Sequence, residues 1–311
     1  MFGNLYCRNR RRWNFYLYAM TLFPVSENEA SAVVKESYRQ IREGLGVPSI
    51  PLFFQYFGAF PEYLDYVAGQ ITKNLTSPEF EKIISDTLTN VQMLTSHGLS
   101  KSDDLQRWLT LYKNAPSFYN FQQDLKNILK INLQLAFIFI SLREAVKGWA
   151  VAAKKLPNSV PTSTAAKQPR TEDDFIYEDL STVILGRSET TTSESIDPNR
   201  ATMTRNDSSS LATSQSRGIE KDLLPEYLNL CKFEFRNQMK FNKFWTLRIG
   251  LEKIILNNLA ILPALIFSPI NLFIQMNEKY PNYGELLYLI SEHFPTYAAQ
   301  RLMFSAFLVE N

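Results

Sequence analysis

Two stretches of this 311-residue chain share a pattern able to shape a ligand site. IPLFFQYFGAFPEY (50–63) aligns without a gap with INLFIQMNEKYPNY (270–283), at an offset of 220 residues. Ile50/Ile270, Leu52/Leu272, Phe53/Phe273, Gln55/Gln275, Pro61/Pro281 and Tyr63/Tyr283 are identical, and Phe60/Tyr280 keeps an aromatic before the proline. Six identities compare with roughly one expected from background residue frequencies. The pattern is an apolar helix that carries Ile, Leu and Phe into a core, then a proline that starts the next helix. Two such units are expected to pack about a pseudo-twofold axis, with any ligand pocket between them.

Other chemistry is largely excluded by residue type and spacing. The cysteines are Cys7 and Cys231 and the histidines His97 and His293, with no zinc-ligand spacing among them. No metal and no cofactor is expected. Two cysteines are too few for a disulfide scaffold and point to a reducing, cytoplasmic compartment. There is no Gly-rich phosphate loop, no G-x-S-x-G, and no Cys–His pair at a motif spacing. Lys+Arg is 33 and Asp+Glu 31, a net charge of +2, so nucleic acid is not an expected partner. Arg8, Arg10, Arg11 and Arg12 precede an apolar run, Phe15 to Phe23, which lacks a small-x-small cleavage site before Pro24. Met20 is an alternative start. The sequons at Asn74 and Asn206 matter only in a secreted chain.

The elements that must position a site read as helices. Ser26-Glu27-Asn28-Glu29 has the form of a capping box, and Ala30, Val34, Tyr38, Ile41 and Leu45 follow at helical spacing. Gly44, Gly46 and Pro48 stop that helix, and His97-Gly98 marks another helix end. A short apolar helix is expected over 50–57. Pro61 and Ser77-Pro78-Glu79 start two more, to about 74 and 96, and Ser102-Asp103-Asp104 a further one. A long helix spans about 118–153, and no β-alternation appears in the first 155 residues. Residues 157–220 are rich in Ser, Thr and Pro and read as a disordered linker, its island Asp174 to Leu180 included. An aromatic-rich helix is expected over 223–244. Ile254 to Ile274 approaches a membrane span in length, but Asn257, Asn258, Pro263, Pro269 and Asn271 argue for two buried helices instead. The fold class is therefore all-α: an N-terminal extension (1–22), a first helical repeat (23–156), the linker, and a second repeat (221–311), packed as a pseudo-dimer.

Residues 23–64 resemble the opening repeat of the non-stereospecific (D,L) 2-haloacid dehalogenases. The matching features are Tyr38-x-x-Ile41-Arg42, Leu45-x-Val47-Pro48 and Phe60-Pro61-x-Tyr63-Leu64, and the resemblance extends to Ser141-Leu142-Arg143-Glu144. In the second half, Gln275 and Tyr280-Pro281 fit. The resemblance implies an all-helical two-repeat protein that hydrolyses the C2–halogen bond of short 2-haloalkanoic acids by direct attack of water. Its implied ligand is a small carboxylic acid, and a homodimer is one expected assembly. It also implies a second repeat longer than the 30 residues that follow Pro281 here. Such chemistry needs a carboxylate to take a proton from water and an asparagine to hold that water in line. The resemblance places the asparagine at Asn132. The tyrosine three residues later becomes Leu135, and the pocket aromatics become Ser49 and Leu52. The catalytic aspartate, eight residues before the second proline, becomes Phe273, which cannot act as a base. Asn271, Gln275 and Glu278 are the nearest polar residues, and Glu62, Asp65, Glu144 or Glu278 would have to supply a carboxylate. The leading reading is the family's hydrolase activity with a displaced base; the alternatives are a relative that keeps the fold and binds a small ligand without turnover, and a membrane-associated helical protein.

Overall fold

A computed structural model describes residues 20–153, 170–178 and 210–310. The described residues form helices and turns, with no strand among them. The basic run at 8–12, Cys7, the sequon at Asn206 and linker residues 157–169 and 179–209 lie outside them.

The first unit opens with α1 (Ala32–Leu45). The cap differs from expectation: Ser31, not Ser26, accepts from the Val34 N–H at 3.4 Å. Ser26 and Glu29 close a turn on each other instead, and Glu27 reaches across to the Ile50 N–H and to Arg42. Gly46 ends the helix at φ 68°, a left-handed conformation that side chains resist. Next come α2 (Leu52–Gln55), a 3-10 turn (Phe57–Ala59) and α3 (Pro61–Leu75), with Pro61 in the first turn where no N–H is missed. Ser77 caps α4 (Pro78–Gly98), and Ser102 caps α5 (Asp103–Tyr112). His97 ends α4 as expected, its Nδ1 2.7 Å from the Met93 carbonyl.

The centre of the fold is α6 (Pro116–Ala153) against α12 (Phe294–Leu308). Residues 132–142 of α6 are buried on every face, as an all-apolar helix requires. Among the described residues one helical stretch, Pro116–Lys147, is long and apolar enough to cross a membrane, and 78% of its most apolar window is buried inside the protein.

Part of the inter-repeat segment departs from the solvated-linker reading. Residues 172–178 form a short helix, α7, with Phe175, Ile176 and Tyr177 buried in the core. The linker reading also ends too late, because α8 runs from Ser210 to Gln238. The helix expected over 223–244 is two: α8, then α9 (Asn242–Asn258) after a break at residues 239–241. The 254–274 run is split, as its prolines require, by a 3-10 turn (Leu259–Ile261) and extended chain up to α10 (Ile270–Lys279). It is not a pair of buried helices, however: Ile261, Leu265, Phe267, Ile270 and Ile274 are exposed. Then α11 (Tyr283–Tyr288) and a π-helical turn (Leu289–His293) lead into α12.

The repeated aromatics meet their own counterparts. Phe60 packs edge-on against Tyr280 with ring centres 5.2 Å apart, and Tyr63 against Tyr283 at 5.4 Å. Both contacts join positions that the 220-residue offset pairs in sequence. The two copies are unequally buried. Phe53 is fully buried, whereas Phe273 is half-buried with its ring 6.3 Å from Tyr283.

Candidate functional site

Asn132 lies mid-way along α6, and its amide would be costly there without partners. Its Oδ1 accepts from Nε of Arg301, at 2.8 Å. Arg301 stands on α12 and is only 2% exposed, so its charge must be answered locally. Its Nη1 donates to the Phe175 carbonyl and to Glu178, both at 3.2 Å, and its guanidinium lies over the Phe53 ring, 5.8 Å from the centroid. Glu178 also accepts from the backbone N–H of Leu52, at 3.0 and 3.1 Å. Four elements, α2, α6, α7 and α12, therefore converge on one guanidinium and one carboxylate.

Around this pair the core is aromatic. Phe53 packs on Phe139, Phe175 and Phe294 with ring centres 4.7, 5.3 and 5.5 Å apart. Tyr56 and Tyr297 close on Phe175 from other sides, at 5.9 and 5.0 Å. Burial pushes the Tyr56 hydroxyl up to about 12.

Glu178 opens onto a surface cleft of about 340 Å³ lined by Leu52, Gln55, Tyr177 and a ring of charges: Arg170, Lys232 and Arg236 against Asp173, Asp174 and Glu178. Arg236 pairs with Asp173 at 2.6 Å. Lys232 holds its ammonium over the Tyr177 ring, 5.2 Å from the centroid, and partial burial lowers its pKa. A desolvated cation on an aromatic wall is suited to receive an anion.

The sequence-derived site residues are only partly brought together. Asn132 and Leu52 are joined through Arg301 and Glu178. Leu135 is buried in the core, while Ser49, Asn271 and Gln275 are exposed. Among the described residues, none of the four candidate carboxylates hydrogen-bonds or ion-pairs with Asn132 or Arg301. Glu62 accepts from Lys279 and from the Tyr280 hydroxyl, contacts that hold its carboxyl down at about 2. Glu144 pairs with Arg143 and Lys147, and Asp65 and Glu278 are exposed. Sequence reasoning missed Arg301 and Glu178. The available signals were a lone arginine inside the apolar run AAQRLMFSAF and the acidic–aromatic island DFIYEDL within a Ser/Thr-rich stretch.

Close by, His293 is fully buried, with Nδ1 3.2 Å from the Tyr297 hydroxyl. Burial lowers its pKa from 6.5 to about 4. Between these values the unfolded chain binds the proton that the folded chain refuses. The stability from a neutral His293 is thus present above about pH 6.5 and is lost as pH falls toward 4. Urea titrations from pH 7 to 4 are expected to show a smaller loss of stability in His293→Phe than in the parent protein. An equal loss would mean that the histidine is protonated in place.

No family model matches the sequence, and no curated protein does. Solved structures do. A D-2-haloacid dehalogenase in complex with L-LA superposes with a TM-score of 0.59 at 15% identity, covering 93% of this chain and 95% of that one. A mutant of D-2-haloacid dehalogenase with D-2-CPA gives 0.55, again at 15% identity and the same coverage. The chain has the all-helical fold of these dehalogenases.

Proposed function

We propose that this protein uses the dehalogenase fold to bind a short carboxylic acid in the cleft above Arg301, without the water-activating base that would hydrolyse a haloacid. The observation that carries this reading is the occupation of the two family positions: Phe273 stands where the resemblance requires an aspartate, and the oxygen of Asn132 is engaged by a buried guanidinium. A phenyl ring takes no proton from water. An amide whose oxygen is held by arginine is poorly placed to hold an attacking water as well. The charged cleft and the fold support retention of a carboxylate ligand.

Calorimetric titration with D- and L-2-chloropropanoate tests the reading. Both acids are expected to bind, and Lys232→Ala to weaken binding at least about tenfold, the loss of roughly one charge-assisted contact. No heat with either acid, from folded protein, would overturn it.

A further inference from the structure

Two donors on elements far apart in sequence meet a carboxylate carried by a short separate segment. Arg301 is set by Asn132 and by the Phe53 ring beneath it, and the Leu52 N–H is set by α2. The carboxylate they share belongs to α7, a segment between PTSTAAKQPR and RSETTTSESIDP in the sequence. Three residues earlier, the same segment places Phe175 among Phe53, Tyr56, Phe294 and Tyr297. One short helix therefore presents an aromatic ring and a carboxylate together, the ring to an aromatic cage and the carboxylate to a buried guanidinium.

We propose that this is an acid-binding site filled in cis. Phe175 and Glu178 stand in for a free carboxylic acid with an aromatic or bulky apolar tail, and that acid binds by displacing α7. The inference rests on the carboxylate-binding reading above, but places the acid where α7 now lies rather than in the cleft that α7 helps line, with α7 as the gate, and it extends the ligand class to acids with a larger tail. Its physical basis is that the donors do not need α7 to keep their places: Arg301 Nε stays on Asn132, and α12 is buried along its length. The segment is also held by Gln300 on Glu172, by Arg236 on Asp173 and by its buried aromatics, so an acid opens it only by replacing the Arg301 and aromatic-cage contacts. A ligand that supplies the same two contacts shifts that opening by its preference for the open state.

Hydrogen exchange on the full chain, with phenylacetate as the probe, tests this. Saturating phenylacetate is expected to raise amide exchange at 172–178 several-fold while the amides of 52–56 stay protected, the reverse of what a ligand does to a segment it merely packs against. Protection at the cleft-lining part of α8 without faster exchange at 172–178 would overturn the gate and leave the ligand reading intact. No change anywhere would overturn both. As a second arm, Glu178→Gln is expected to bind phenylacetate about tenfold more tightly than the parent protein, because the tethered competitor is weakened. Unchanged or weaker binding by folded variant would show that α7 is a structural clasp.

Discussion

Replacing Arg301 with methionine is expected to destabilise the protein by about 3 kcal/mol, the lower end of what removing one partner of a buried ion pair costs. The lower end applies because Glu178, its carboxylate partner, keeps 29% of its side chain exposed and can turn to water. Asn132 cannot do so: its Oδ1 would lose its arginine donor inside the core. Methionine fills most of the arginine stem, so the loss reports the polar contacts rather than a cavity. Urea denaturation checks the value. The double variant Asn132→Leu, Arg301→Met should cost less than the sum of the two single changes, by about 0.5–3 kcal/mol, because neither then strands the other. Additive losses would mean that the two side chains stabilise the fold separately.

The second large effect lies in the aromatic core. Phe53→Ala should cost about 3–5 kcal/mol, as expected for deleting a fully buried ring. Phe139, Phe175 and Phe294 all rest on it, and the Arg301 guanidinium lies over its face. Its counterpart in the repeat, Phe273→Ala, should cost only about 1 kcal/mol, because that ring is half-buried beside Tyr283. Equal losses in chemical denaturation would mean that the two copies carry equal loads and that the asymmetry described above is wrong.

Much of the helical framework was legible because local chemistry wrote it. Pro61, Ser77-Pro78 and Ser102 start helices within a residue or two of where their side chains require. The aromatics that the 220-residue offset aligns, Phe60 with Tyr280 and Tyr63 with Tyr283, do touch. What sequence could not show is which polar residues the fold brings together. Asn132 and Arg301 are 169 positions apart, and nothing local pairs them. Residues 172–178 read as solvated because their flanks are polar. Their burial comes from a cage assembled by α2, the Tyr56 that follows it and α12, which no window of sequence contains. At Ser26 the capping-box pattern was present, but Glu27 was drawn to Ile50 and Arg42, and Ser31 took the cap. The exposed apolar residues between 261 and 274 likewise follow from packing, because the prolines turn this chain along the surface rather than into the core.

Chloride release from D- and L-2-chloropropanoate decides whether this fold hydrolyses a haloacid. With Phe273 in the position of the base and Asn132 engaged by Arg301, folded protein is expected to release no chloride above the uncatalysed rate from either enantiomer. Release from both, abolished by Asn132→Ala, would contradict the account and mean that another carboxylate activates water in this fold.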